Sequence, residues 1–279
     1  MTTLIKLNLA RNCIKYIIRI YGIKEIFVPY YTCNTVWHAI REEQCKINFY
    51  HINKNFMPEP EFKENDFILY NNYFGLCGNN CEKLAQKYKN IIIDNSHSFY
   101  TKHKGIASFN SLRKFFKVQN GAYLYIEKES STKGFDVDNL ELTPVIMQKN
   151  YQKFVYNELA LNKEKNIKLI SPEVEKTMNS IDFEQDKLQR LTWYQKYTNF
   201  FDEFNKIKLK TDENNIPYCY PLCTSNETIL KSFSDNKLIL LKLWNNIPKK
   251  FKEHEFLNNT LALPLNDITT FNKIISIYK

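Results

Sequence analysis

Apolar and polar positions in the first half of the chain follow two alternating patterns. From Ala10 to Tyr21, Ile14, Ile17 and Ile18 recur at the spacing of one helical face, which predicts an amphipathic helix. Short apolar runs that end in proline or in polar residues are typical of buried strands. Predicted strands cover residues 25–28, 45–51, 67–70 and 91–93, and further predicted helices cover residues 35–43 and 81–88.

This alternation of strands and helices with short connections predicts an α/β fold with a mostly parallel sheet covered by helices. After residue 128 the pattern changes, and it predicts a helix over residues 145–161 and one long helix or two over residues 174–204. The last third predicts strands at 218–222, 238–243 and 261–264, with helices at 227–233 and 268–278. We therefore expect a large α/β domain over residues 1–145, connecting helices over 146–205, and a smaller α+β domain over 206–279.

Polar residues gather where three predicted strands end. They are Tyr30–Thr32, Asn71–Tyr73 and Asp94–His97. Open α/β sheets bind their ligands beyond the carboxyl ends of parallel strands. The sequence therefore predicts a binding site along this edge of the sheet.

Composition limits the classes of partner. The chain has 43% apolar and 15% aromatic residues, enough for a real core, and a formal charge of +9 from 39 basic and 30 acidic residues. Its lysines are spread along the whole chain, which does not favour nucleic-acid binding. A basic balance can still steer an anionic substrate towards a site.

The seven cysteines are odd in number and irregular in spacing, which indicates a reducing compartment rather than a disulfide framework. Cys77/Cys81 and Cys219/Cys223 are each four residues apart, whereas structural zinc knuckles usually have two intervening residues, so no metal is predicted. No apolar run approaches the roughly 18–20 residues of a membrane span. Met1–Ala10 shows no signal-peptide pattern, and we expect a cytoplasmic protein.

Residues 90–125 contain an acid at a predicted strand end and a lysine twenty residues later, and these are the main candidates for catalytic groups. A pyridoxal phosphate site needs a lysine amine for the cofactor aldehyde, a carboxylate for the pyridine nitrogen, and helix-start amides and hydroxyls for the phosphate. Asp94 and Lys114 could supply the first two groups. The helix start at Asn12–Cys13, with Asn12 as its cap, and Ser111 could supply the others.

Several segments resemble the DegT-type sugar aminotransferases, pyridoxal phosphate enzymes that aminate keto sugars. The matching segments are LNLARNCIKYII, VPYYTCNTV, IIIDNSHSF and SLRKFFKVQNGAYL, with LKLWNNIPKK and LALPLND near the other end. The resemblance spans nearly the whole chain. It implies a fold-type-I aminotransferase architecture, with a seven-stranded-type sheet sandwiched by helices.

The resemblance also implies roles for individual residues. Lys114 would be the Schiff-base lysine, with Lys117 as the alternative, and Asp94 would partner the pyridine nitrogen. His97 would lie beside the cofactor's phenolic oxygen or ring. The phosphate would be held by the amides of Asn12 and Cys13 and by the Ser111 hydroxyl.

Some positions depart from the family pattern. Cys33 stands where an aromatic residue often stacks on the cofactor, so that stacking is expected from Tyr31, Tyr73 or elsewhere. The Asp94–Lys114 interval is compressed, and the chain is shorter than typical members.

The resemblance implies an aminotransferase that moves an amino group from an amino acid, glutamate being expected, to a keto sugar. That sugar is expected to be nucleotide-linked and used for surface polysaccharide, and the enzyme to be a homodimer with its site at the interface. The alternative is a catalytically inactive relative that binds a sugar or a protein in polysaccharide assembly. Related enzymes that dehydrate sugars carry histidine in place of the lysine, and Lys114 argues against that reaction.

Overall fold

The computed structural model describes residues 2–212, 215–244, 247–254 and 259–278. The strands are β1 (Thr3–Leu7), β2 (Glu25–Pro29), β3 (Lys46–Tyr50), β4 (Ile68–Asn71), β5 (Ile91–Asn95), β6 (Ala107–Asn110), β7 (Ala122–Ile126), β8 (Cys219–Cys223), β9 (Leu241–Lys242) and β10 (Thr260–Pro264). The helices are α1 (Ala10–Tyr21), α2 (Asn34–Glu42), α3 (Gly78–Lys87), α4 (Leu112–Phe115), α5 (Tyr151–Lys163), α6 (Pro172–Asn179), α7 (Phe183–Phe201), α8 (Glu227–Asp235) and α9 (Ile268–Ile277).

Seven strands form one sheet in the order β1-β7-β6-β5-β4-β2-β3. β7 runs antiparallel to β1 and β6, and the other described pairs in this sheet are parallel. Asn71 at the end of β4 lies opposite Asp94 near the end of β5, so the carboxyl ends of these strands lie side by side. The predicted α/β class, with a mostly parallel seven-stranded sheet, is confirmed.

Helix α1 packs its apolar stripe on this sheet. Ile14, Ile17 and Ile18 are at most 3% exposed and belong to one hydrophobic cluster with the strands. The helix ends at Gly22, whose φ of 66° suits the left-handed region that glycine tolerates. The helix covers the predicted residues, Ala10–Tyr21, but its N-cap residue is Leu9 and not the predicted Asn12, which lies inside the first turn.

The C-terminal part forms a three-stranded antiparallel sheet in the order β8-β10-β9. One large hydrophobic cluster includes Tyr70 from the first sheet and Leu222 and Leu263 from the second. Because the two sheets share this core, the division at residues 145 and 205 stays a prediction. Within the described ranges, no helix is long and apolar enough to cross a bilayer.

Local signals explain where the observed elements depart from the predicted ones. α5 begins six residues after Val145, because the Asn150 side chain accepts a hydrogen bond from the Lys153 amide at 2.9 Å and caps it. The region predicted as one or two helices is two, with Asp182 capping the second. The strand predicted over 238–243 shrinks to β9, and edge strand β1, whose Leu4 is 44% exposed, was not predicted.

Candidate functional site

A cavity opens at the carboxyl ends of β4 and β5, between the first turn of α1 and helix α4. Lys114, Asp94, His97 and Ser111 all line it. Four of the residues predicted for the site therefore come together at the sheet edge where parallel strands place ligands.

Lys114 lies on helix α4, and backbone hydrogen bonds connect this helix to the start of the chain. Ser111 is its N-cap residue, and the Leu112 amide donates to the Gly121 carbonyl at 2.9 Å. The Gly121 amide donates in turn to the Asn8 carbonyl at 2.7 Å. Gly121 has a φ of 105°, and a Cβ there would lie 2.8 Å from Leu112 Cδ1, so glycine is required. The lysine is thereby fixed relative to the first turn of α1.

The surroundings of Lys114 make its amine easier to deprotonate. Burial lowers its pKa from the ordinary 10.5, and the Asp94 carboxylate opposes that shift. Among the described residues, no group forms a hydrogen bond or an ion pair with its Nζ atom. Lys117 is exposed instead and does not contribute to the cavity wall. Of the two lysines considered for the Schiff base, Lys114 is therefore the one that lines the cavity.

Asp94 lies near the carboxyl end of β5 and is 8% exposed. Its Oδ1 atom accepts a hydrogen bond from the Ser96 amide at 2.7 Å. Burial raises the pKa of this carboxyl, while the Lys114 ammonium and the Ser96 hydrogen bonds act in the opposite direction. A cationic ligand beside Asp94 would shift the balance further towards the carboxylate.

His97 is held between two aromatic rings. Its ring lies 4.6 Å from that of Tyr218 at 16° and 5.1 Å from that of Trp244 at 3°. It is 3% exposed, and its Nε2 atom has no hydrogen-bond partner among the described residues. Burial, and then the Lys114 charge, lower its pKa well below the ordinary 6.5, so the imidazole is neutral.

The prediction that the Asn12 and Cys13 amides are available for a phosphate is wrong. Both donate to the Leu9 carbonyl, at 3.0 and 3.3 Å, because the helix begins three residues earlier than a cap at Asn12 would require. The cavity is lined instead by Ala10 and Arg11, and no described group accepts a hydrogen bond from their amides.

Tyr31 and Tyr73 do not line the cavity as predicted. Both are 0% exposed, and their rings stack on each other at 5.6 Å and 11°. Trp244 packs edge-on against Tyr31 at 4.6 Å and itself lines the cavity. The two tyrosines therefore pack in the core behind Trp244, and Trp244 is the aromatic residue at the cavity wall.

Several residues that line the cavity were assigned no site role from the sequence. All have polar or aromatic side chains and lie in the same cavity wall as the predicted site residues. They are Arg11, Asn71, Arg113, Glu158 and Trp244. Asn71 and Trp244 stood in segments already singled out, as a polar strand end and a tryptophan turn. Glu158 gave no local signal, because helix α5 brings it to the cavity only through the fold, where it accepts hydrogen bonds from Arg113.

The four cysteines considered for zinc lie in the largest hydrophobic cluster. Cys77 and Cys81 lie at the start of α3, and Cys219 and Cys223 lie on β8. In the part of the chain that the structure describes, no group of three or more histidine, cysteine, aspartate or glutamate side chains could hold a metal.

No protein-family model matches the sequence, and no curated protein matches it. The fold, however, matches many solved structures. One is a DegT/DnrJ/EryC1/StrS aminotransferase from Brucella abortus, with a TM-score of 0.62, 12% identity, and coverage of 99% of this chain and 84% of that one. A putative sugar aminotransferase, Spr1654 from Streptococcus pneumoniae in its PMP form, matches with a TM-score of 0.67 and 13% identity, and the match covers 99% of this chain and 86% of that one. Helicobacter pylori PseC, an aminotransferase involved in pseudoaminic acid biosynthesis, matches with a TM-score of 0.61 and 13% identity, and the match covers 99% of this chain and 86% of that one.

Identities of 12–13% establish the architecture of the chain and not its activity. The match covers nearly all of this chain and includes both sheets. The protein has the fold of the DegT-type sugar aminotransferases.

Proposed function

We propose that the protein is a pyridoxal phosphate-dependent aminotransferase. It moves an amino group from an amino acid, glutamate in our proposal, to a keto sugar. The observation that carries this proposal is that one cavity is lined by a partly buried lysine without a partner among the described residues, a buried carboxylate and a helix start with free amides. These are the three kinds of group that a phosphorylated pyridine aldehyde requires.

The residues present fit this cofactor. Lys114 Nζ would bind its aldehyde, and Asp94 would face the ring nitrogen. The amides of Ala10 and Arg11, with Ser111 beside them, would hold the phosphate. Trp244 offers an aromatic surface at the cavity wall, and the unpartnered Nε2 of His97 is a polar atom available to a ligand.

When bound, the cofactor supplies an electron sink that stabilises negative charge on an amino acid's α-carbon. The protein supplies proton transfer and orientation. Because burial lowers its pKa, Lys114 can take up a proton at Nζ and return it to a neighbouring atom. Asp94 would keep a proton on the ring nitrogen. His97, being neutral, can donate or accept one hydrogen bond without adding charge.

The similar structures support the choice of a sugar acceptor. Spr1654 is a putative sugar aminotransferase, and PseC is an aminotransferase involved in the biosynthesis of pseudoaminic acid. We extend the proposal to a nucleotide-linked keto sugar used for surface polysaccharide, to a cytoplasmic location, and to a homodimer with the site at its interface.

The test is an absorbance spectrum of the purified protein with pyridoxal phosphate. We expect a visible band that fades with glutamate and returns when a keto sugar from a screened panel is added. The Lys114→Ala variant should lack the band, while Lys117→Ala, the matched control, should keep it. A protein that ignores the cofactor would contradict the proposal. A band that no amino donor changes would instead favour the inactive sugar- or protein-binding relative.

A further inference from the structure

Arg11 is a cavity cation without a carboxylate partner. Its guanidinium donates to the amide oxygen of Asn162 at 2.8 Å, and among the described residues no carboxylate lies within ion-pair distance. The other cavity arginine, Arg113, is paired with Glu158. Arg19, on the same helix as Arg11, is paired with Glu43.

Arg11 is partly buried and lies near a second cation, Arg113. Burial, and then the Arg113 guanidinium, lower its pKa, while the more weakly acting charges of Cys33, Glu158 and Glu42 raise it. A charge withdrawn from water is destabilising unless an opposite charge or several hydrogen bonds compensate it. Asn162 offers a single neutral acceptor, so an anion in the cavity would improve the free energy of this site.

The backbone around Arg11 is also prepared for an anion. The amides of Ala10 and Arg11 are free at the start of the 12-residue helix α1, whose first turn has no acidic residue. Such an end carries partial positive charge and free donors. The same cavity wall holds Asn71, 3% exposed, whose Oδ1 has no partner among the described residues, and this second observation indicates that the cavity receives a polar ligand.

We propose that Arg11 is a binding residue for the cofactor phosphate, acting together with the free amides of Ala10 and Arg11. This inference rests on the proposed function. A phosphate monoester carries about −1.5 to −2 charges at pH 7. A guanidinium and the positive end of a helix together balance this charge, whereas a ligand with a single carboxylate would carry only one negative charge. A planar guanidinium can also contact two phosphate oxygens at once. The phosphate is therefore held by a full charge and not only by neutral amides.

The test compares pyridoxal phosphate with pyridoxal, which lacks the phosphate. Dissociation constants are measured from absorbance for the wild type, Arg11→Gln, Arg11→Lys and the control Arg19→Gln. We expect Arg11→Gln to weaken pyridoxal phosphate about tenfold to a hundredfold, since hydrogen bonds to charged groups contribute this much. Pyridoxal affinity should not change, Arg11→Lys should fall between, and Arg19→Gln should bind as the wild type does.

Salt and competition give two further readings. Raising the salt concentration should weaken pyridoxal phosphate binding more in the wild type than in Arg11→Gln. Inorganic phosphate should compete with pyridoxal phosphate in the wild type and less in the variant. Melting temperatures of the variants check that each one is folded.

Three results would overturn the inference while the proposed function stands. In the first, Arg11→Gln binds pyridoxal phosphate as tightly as the wild type does. In the second, it loses pyridoxal and pyridoxal phosphate equally, which means general damage to the cavity. In the third, its cofactor affinity is normal but a sugar phosphate no longer protects it against thermal unfolding, which assigns Arg11 to the substrate. A wild type that binds no cofactor would instead refute the proposed function itself.

Discussion

Lys114, on helix α4, and Arg190, which contacts the same short helix, are two cations that differ in how many partners surround them. Lys114 belongs to α4 and faces the cavity. Arg190, from α7, donates to the carbonyl of the next residue, Phe115, at 3.0 Å and lies 4.5 Å from the centre of its ring.

Arg190 has partners for most of its donors. Its Nε atom donates to Asp186 at 2.6 Å, and one terminal nitrogen lies 3.4 Å from the carbonyls of Pro217 and Tyr218. The side chain is 0% exposed. Phe115 follows Lys114 in the chain, and Tyr218 stacks on His97. By donating to the carbonyls of Phe115 and Tyr218, Arg190 connects the backbone segments next to both site residues.

Lys114 has no such partners among the described residues, and burial lowers its pKa. The difference separates two uses of a positively charged side chain. A cation with partners for most of its donors stabilises the native arrangement of its neighbours, whereas one left without partners costs stability and is available for chemistry.

The strongest way to break this comparison is Lys114→Ala. We expect the amino-transfer rate to fall by about 10²- to 10⁴-fold, the usual contribution of a positioned acid–base group. The melting temperature should stay equal or rise, because the variant removes a desolvated amine. Stopped-flow half-reactions and calorimetry measure the two quantities. A large loss of stability would show that Lys114 is structural.

Arg190→Met should show the opposite profile. We expect the free energy of unfolding in urea to fall by about 3–5 kcal/mol, because Asp186 is left without its cation. The double variant Asp186→Asn/Arg190→Met should recover part of that loss. A decrease in unfolding free energy below about 1 kcal/mol, the usual contribution of a surface ion pair, would show that Arg190 does not stabilise the fold around the site.

Gly121→Ala tests the tie between α4 and the start of the chain. We expect a loss of about 1–3 kcal/mol of unfolding free energy from the left-handed backbone and the contact with Leu112 Cδ1. Gly134, at a φ of 85° with nothing within 4 Å of its added Cβ, is the matched control. Equal costs at both glycines would mean that crowding at Gly121 has no effect.

The smallest effect concerns His97 and pH. Its folded-state pKa lies below the ordinary 6.5, so as the pH falls through 6.5 the unfolded chain takes up a proton that the folded chain does not. Wild-type stability should therefore decrease towards acid by up to about 1.4 kcal/mol per pH unit from this group. His97→Gln should show a shallower decrease between pH 6.5 and pH 5. Parallel curves for the two proteins would contradict the neutral assignment.

The sequence was informative where chemistry followed directly from a strand end. Asp94 and His97 come immediately after a short apolar run, and Lys114 lies before a glycine that the fold requires. Their meeting in one cavity followed from the rule that parallel strands share a ligand-binding edge.

The helix start and the aromatic wall could not be predicted in the same way. α1 begins after Leu9, which has no capping side chain, so the first residue of the predicted helix with a good capping side chain, Asn12, indicated an N-cap that is three residues too late. Tyr31 and Tyr73 looked like stacking residues, but whether a ring faces the cavity or the core depends on Trp244, which is distant in sequence. Such long-range packing leaves no periodic signal in the chain.

The most direct test of the central claim is to trap the cofactor on the protein. Borohydride reduction of the protein mixed with pyridoxal phosphate, followed by proteolysis and mass spectrometry, identifies the lysine that holds it. We predict a single modified peptide containing Lys114, with none in the Lys114→Ala variant. Modification at Lys117, or scattered over exposed lysines, would contradict the account.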